Sequence, residues 1–196
     1  MQNSGTNAGV VTDTYAILSS DPTSSGVLIL NGNATWTDQI DPHDTATTRG
    51  YMVVGYNNQA TVVGTVTPPP FSAAATLVVE NGATLTEQSY AQIANTVDSA
   101  GSVLVSNALW TIGTGADGGF LNVGQVGAGT LTVAQGGSVQ LAAGGTFVNN
   151  GTSFTGNGIN VGGSAGASGT LTVDGGLLTD AAGINDGQAG QGLVQI

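Results

Sequence analysis

Gly129-Thr130-Leu131-Thr132-Val133-Ala134-Gln135-Gly136-Gly137 and Gly169-Thr170-Leu171-Thr172-Val173-Asp174-Gly175-Gly176 are two copies of one pattern. Each is a short run of β-branched and leucine residues that stops at a polar-glycine turn. A strand of five residues cannot bury its apolar side alone, so a chain built from such units must stack each unit on the next. Alternation within the run assigns faces: Leu131 and Val133 point one way, Thr130 and Thr132 the other.

Looser copies extend the pattern over the chain. Gly26-Val27-Leu28-Ile29-Leu30 leads through Asn31-Gly32 to Trp36-Thr37, and Ala75-Thr76-Leu77-Val78-Val79 leads through Asn81-Gly82 to Leu85-Thr86. Gly101-Ser102-Val103-Leu104-Val105 leads through Ser106-Asn107 to Trp110-Thr111, and Gly192-Leu193-Val194-Gln195-Ile196 is a last, incomplete copy. A second element precedes the later copies: Leu121-Asn122-Val123-Gly124, Ile159-Asn160-Val161-Gly162 and Ile184-Asn185-Asp186-Gly187, with Met52-Val53-Val54-Gly55 as its counterpart before the second copy.

The copies begin at residues 26, 75, 101, 129, 169 and 192, giving steps of 49, 26, 28, 40 and 23. A unit of about 25 residues with three short strands and a turn after each predicts an all-β fold, a right-handed parallel β-helix (solenoid). The longer steps would hold two rungs or one rung and an insertion, and 145–158, with Thr146-Phe147-Val148 and Thr152-Ser153-Phe154, has strand chemistry suited to an extra rung. That gives about seven or eight rungs, a rod of roughly 35 Å at ~4.8 Å per rung.

Register then makes specific expectations. Leu131 lies over Leu171 and Val133 over Val173. Asn122, Asn160 and Asn185 line up at a turn and hydrogen-bond as a ladder. Trp36 and Trp110 occupy the slot that Leu85, Val139 and Leu178 fill elsewhere, which favours packing over a sugar platform. Ser89–Gly101 has helical spacing at Tyr90, Ile93, Ala94 and Val97, but also reads as a rung strand, Gln92 to Val97, one unit before the next copy; the strand is preferred.

The 33 glycines follow no Gly-X-Y period, which excludes collagen, and the 40% apolar content argues against a disordered Gly/Ser linker. The absence of cysteine excludes disulfides and cysteine-based metal sites. No apolar run is long enough for a membrane-spanning helix, and Met1-Gln2-Asn3-Ser4-Gly5 lacks the form of a signal peptide. Residues 1–196 are read as one β-helix domain, expected to be a piece of a longer protein, with 38–74 as a loop insertion and 1–25 as a weak first rung or cap. Twelve acids face a single arginine, Arg49, and the net charge is −11. Nucleic acid and anionic lipid are held by lysine and arginine clusters, so neither is an expected partner.

Catalytic chemistry has few residues to work with. The one histidine, His43, would have to serve as the base of any Ser-His-Asp triad, or join Asp41 and Asp44 on a metal; Asp41-Pro42-His43-Asp44 reads instead as a solvated loop. Asp117, Asp174, Asp180 and Asp186 leave room for a glycosidase-type carboxylate pair, but Ala134 stands where the next copy has Asp174, so that acid reads as turn chemistry. Lyase chemistry on acidic polysaccharide would need a base near the reacting carbon, and only Arg49 is present. Gly113-Thr114-Gly115-Ala116-Asp117-Gly118-Gly119 echoes a calcium-binding nonapeptide once, without repetition. No catalytic residue, cofactor or metal is expected. If one patch binds a partner, the repeat-breaking stretch 38–74 is the place, with Asp41, His43, Asp44, Arg49, Tyr51 and Tyr56.

The copies from Asn122-Val123-Gly124 to Gly136-Gly137 and from Asn160-Val161-Gly162 to Gly175-Gly176 resemble the repeat of bacterial type V autotransporter passenger domains and related surface proteins. The likeness is good over about 120–180 and loose elsewhere. It implies a β-helix displayed at the bacterial cell surface or secreted, without membrane insertion of its own. The expected role is adhesion, self-association or biofilm formation, with a host-cell surface, a polysaccharide or another copy as partner. A carbohydrate-active β-helix using acidic residues, or a secreted effector acting through 38–74, are the alternatives.

Overall fold

The computed structural model describes residues 9–19, 24–39, 50–56, 73–114, 119–142, 146–149, 152–155, 158–180, 182–187 and 189–196. Among these residues the chain coils through six turns, each with one strand in each of three sheets. The turns are β1 (Val10–Asp13), β2 (Tyr15–Leu18) and β3 (Ser25–Asn31); β4 (Thr35–Asp38), β5 (Tyr51–Val54) and β6 (Ala73–Glu80); β7 (Thr84–Glu87), β8 (Ala91–Ile93) and β9 (Ser99–Ser106); and β10 (Leu109–Ile112), β11 (Phe120–Val123) and β12 (Ala128–Val133). β13 (Ser138–Leu141) opens the fifth turn. β14 (Thr146–Asn149) and β15 (Thr152–Thr155) follow it, and β16 (Gly158–Val161) and β17 (Ser168–Val173) close it. β18 (Leu177–Asp180), β19 (Ile184–Asp186) and β20 (Gln191–Gln195) form the sixth.

First strands of successive turns pair in parallel as sheet 1 (β1-β4-β7-β10-β13-β18), second strands as sheet 2 (β2-β5-β8-β11-β16-β19) and third strands as sheet 3 (β3-β6-β9-β12-β17-β20). This is a parallel β-helix. Each sheet has six strands among the described residues, fewer than the seven or eight rungs expected from spacing. The difference lies largely in 145–158: β14 and β15 pair with each other, antiparallel, and leave the coil between β13 and β16 instead of adding a rung. The stretch 38–74 likewise contains a regular strand. β5 pairs with β2 and β8, and Met52 stands in register with Ala91, whose other partner is Leu121. What departs from the repeat is therefore two connections, 39–50 and 55–72, on either side of β5.

The register places like over like. Leu131 lies beside Leu171 and Val133 beside Val173, as the repeat requires. Sheet 3 contributes an inward column of Leu28, Leu77, Val103, Leu131, Leu171 and Val194. Sheet 1 contributes Trp36, Leu85, Trp110, Val139 and Leu178, so the tryptophans are core residues. Sheet 2 contributes Leu18, Val54, Ile93, Val123 and Val161. These columns merge into one continuous core. Each fully buried leucine, isoleucine or valine is worth about 1.5–3 kcal/mol in transfer free energy, which is what ties rung to rung.

Two sequence motifs acquire a structural reason at the corner between sheets 2 and 3. The residue closing each sheet 2 strand turns left-handed: Ser19, Gly55, Ala94, Gly124, Gly162 and Gly187 all have positive φ, between 56° and 84°. The glycine of Leu-Asn-Val-Gly is that residue. The stretch Ser89–Gly101 is not helical; β8 spans only Ala91–Ile93, the chain then turns at Ala94, and Val97 is exposed.

Candidate functional site

Of the six residues singled out in 38–74, Asp41, His43, Asp44 and Arg49 lie outside the described residues. Tyr56 is half-buried beyond β5, where its backbone N–H donates to Ser19 O at 3.0 Å. Tyr51 opens β5 and belongs to an aromatic ladder that the sequence reading did not foresee. The rings of Tyr15, Tyr51, Tyr90 and Phe120 stack in order, with centroids 5.6, 4.9 and 4.8 Å apart and planes within 16°, 2° and 5° of parallel. The cause is the coil itself. Neighbouring strands lie about 4.8 Å apart, and each ring stands at or just before the start of a sheet 2 strand. Offset ring stacking is favourable at that separation. The column runs from Tyr15, which is half exposed, to Phe120, where Gly158 follows in register and offers no side chain. Burial raises the Tyr90 phenol above its ordinary pKa, with Tyr51 adding to the effect. Because the rings cover one another's faces, the ladder builds the wall of the coil. The signal was in the sequence: Tyr15-Ala16-Ile17-Leu18, Tyr51-Met52-Val53-Val54 and Phe120-Leu121-Asn122-Val123 share an aromatic start.

Beside it runs the asparagine ladder. Asn160 Nδ2 donates to Asn122 Oδ1 at 2.9 Å, and Asn185 Nδ2 donates to Asn160 Oδ1 at 2.9 Å. The three residues occupy the middle of β11, β16 and β19, on strands rather than at a turn. A shorter pair at the corner between sheets 3 and 1 joins Asn81 Nδ2 to Asn31 Oδ1 at 3.1 Å. Replacing Asn160 by alanine removes a donor and an acceptor together and strands the buried amide of Asn122. The expected loss is about 1–3 kcal/mol, read from urea unfolding followed by far-ultraviolet circular dichroism. A loss below about 0.5 kcal/mol would show that the ladder does not hold the turns together.

The acids considered as a catalytic pair are spread around the coil. Asp174 is exposed at the corner after β17, and Asp180 ends β18, where its carboxylate accepts the backbone N–H groups of Ala182 and Gly183 at 3.0 and 2.9 Å. Asp186 ends β19 and is exposed. These are three different corners, so the three acids face no common groove; Asp117 lies outside the described residues. Among the described residues, no three histidine, aspartate or glutamate side chains gather as a metal site would require.

The carboxyls that do meet are Asp38 and Glu87. They are register partners on β4 and β7, and both are fully buried. Trp36 Nε1 donates to Asp38 Oδ1 at 2.9 Å. Asp38 Oδ2, both Glu87 oxygens and Trp110 Nε1 are buried with no partner in hydrogen-bonding geometry. Burial raises the Glu87 pKa well above the usual carboxyl range, and the neighbouring Asp38 raises it further while the Trp110 indole opposes. Burial also raises Asp38, against lowering contributions from Glu87 and Trp36. Sequence reading stopped one residue short of this pair. Aligning the copies past Trp36-Thr37, Leu85-Thr86 and Trp110-Thr111 puts Asp38 and Glu87 in the slot of Ile112 and Leu141. With no exposed surface, the pair cannot reach a substrate.

No family model, no curated protein and no solved structure matches this chain.

Proposed function

We propose that this chain is a structural, adhesive β-helix of a bacterial autotransporter passenger, surface-exposed or secreted, acting in adhesion, self-association or biofilm formation. The observation that carries this reading is the unbroken rung-on-rung register: six strands pair in each of three sheets around one apolar core. Such a rod presents long faces and holds them rigid, which suits display and multivalent contact. The net charge of −11 keeps exposed strands apart and weighs against nucleic acid or anionic lipid as partner. The resemblance of 120–180 to surface-protein repeats points to a cell-surface setting, with a host-cell surface, a polysaccharide or a second copy as the thing bound.

The test is direct. Beads coated with the purified chain are incubated with cultured epithelial cells and with immobilised polysaccharides, and sedimentation measures self-association. Retention by at least one of these is expected. Absence of all three, or turnover of a glycan, would remove the adhesive reading. Variants with 39–50 or 55–72 replaced by short glycine-serine links report whether binding resides in those connections.

A further inference from the structure

We propose that Asp38 and Glu87 form a proton-holding pair inside the coil, a lock that fastens the second and third turns while it keeps its proton and loosens them when the proton leaves. The geometry is a graded column of acids. Asp13, Asp38 and Glu87 are successive register partners on β1, β4 and β7. Asp13 is exposed at the end of the coil, while Asp38 and Glu87 are fully buried. Above them the same column continues as Ile112 and Leu141 and reaches a further acid, Asp180, in the sixth turn. Apolar residues therefore satisfy the packing of this slot, and the two acids are not needed to fill it. They are also incompletely paired: three of their four carboxyl oxygens have no partner in hydrogen-bonding geometry.

Two adjacent carboxylates enclosed by apolar side chains repel each other and lose their hydration, so the stable form keeps at least one proton between them. Trp36 Nε1–H, donating to Asp38 Oδ1, favours charge on Asp38 and leaves the acid form to Glu87. Of the strands packed on the pair, β1 brings one ionisable group, Asp13, whose negative charge opposes ionisation of Asp38. β10 brings none; its Trp110 and Ile112 are uncharged. At the start of the next strands of sheet 2 stand two phenols, Tyr51 of β5 and Tyr90 just before β8, and both belong to the aromatic ladder. No described positive charge stands by to replace the proton. On ionisation the proton passes to solvent, and two carboxylates remain enclosed between Trp36 and Trp110.

The sign follows from the raised folded-state values. Unfolded, both acids ionise in the ordinary carboxyl range; folded, they hold on. Stability is therefore full below that range and declines as pH rises towards the raised value of Glu87. For one retained proton, the folding equilibrium constant falls about tenfold per pH unit across that window.

The experiment compares urea unfolding of the whole chain between pH 4 and pH 9 for the wild type, Glu87→Gln, Asp38→Asn and the exposed control Asp174→Asn. The wild type and Asp174→Asn are expected to lose stability together as pH rises. Glu87→Gln is expected to flatten the profile and to exceed the wild type at pH 8 by tenfold or more in folding constant. Parallel profiles for wild type and Glu87→Gln would overturn the proposal. Should Glu87→Gln fail to fold, carbon-13 labelling of the wild-type glutamate carboxyls decides: a Glu87 midpoint in the ordinary range overturns the lock, and one well above it supports the lock. Calcium chloride against a chelator at pH 8 forms the last arm. Stabilisation of the wild type but not of Glu87→Gln by calcium would mean a cation site in place of a proton lock.

Discussion

Replacing Trp110 with alanine is expected to lower the unfolding free energy by about 3–5 kcal/mol, the usual range for deleting an enclosed aromatic side chain. Trp110 is 0% exposed and heads the largest fully buried side chains. Its column neighbours, Leu85 and Val139, are held by parallel pairing on both sides, so the walls cannot close over the void. Trp36 occupies the same slot two turns earlier but is only partly buried near the end of the coil, and its removal should cost roughly half as much. Since a domain is stable by only about 5–15 kcal/mol, Trp110→Ala removes a large share. Circular dichroism during urea unfolding measures both variants. Equal losses would contradict a core that is tighter around Trp110 than around Trp36.

Gly129→Ala is the second large effect, expected at about 3 kcal/mol or more, beyond ordinary overpacking because the obstacle is backbone. Gly26, Ala75, Gly101, Gly129, Gly169 and Gly192 form one register column in sheet 3. A Cβ at Gly129 would overlap Gly124 N and lie 2.8 Å from Gly124 Cα, the left-handed corner of the same turn. At Gly169 it would overlap Val123 O and Gly162 N. Corner and strand are each paired on both sides and cannot part. Ala75 is the one non-glycine of this column, and it is buried. Gly32 is the comparison: its φ is +66° and nothing lies within 4 Å of an added Cβ, so alanine there meets only the left-handed penalty of about 1–2 kcal/mol. If Gly129→Ala and Gly32→Ala prove equally mild in thermal unfolding, the close approach is not what retains glycine in the column.

The contrast between these two glycines shows what the sequence revealed and what it withheld. The repeated Gly-Thr-Leu-Thr-Val made the coil, the direction of Leu131 and Val133, and the asparagine ladder legible, because periodicity and register are one fact in a stacked fold. The equivalence of Trp36, Leu85, Trp110 and Val139 was legible for the same reason. The number of rungs was not. Strand-like residues at 146–155 pair with themselves, and local β-propensity does not distinguish a hairpin from a rung. The aromatic ladder and the buried acids were missed because each sits one residue beyond the motif used to align the copies. Of the proposed binding residues, the structure describes Tyr51 and Tyr56, and it places Tyr51 in the wall of the coil.

The coil's three edges differ in how much chain they carry. Between sheets 3 and 1, two to four residues suffice at every turn, whereas the other two edges hold connections of one to sixteen and four to eighteen residues. The excursion 142–157 leaves the pairing of β13 with β18 and of β16 with β11 undisturbed. One edge is thus a fixed spine, and the others are rails on which segments can be hung without retuning the rod. Their separation is set by counting turns. The connections after β4 and β13 begin at the same edge three turns apart, which at ~4.8 Å per turn spaces their starting points by roughly 14 Å. A foreign peptide spliced into either would inherit that spacing, so the molecule offers a ready ruler for arranging ligands along a line.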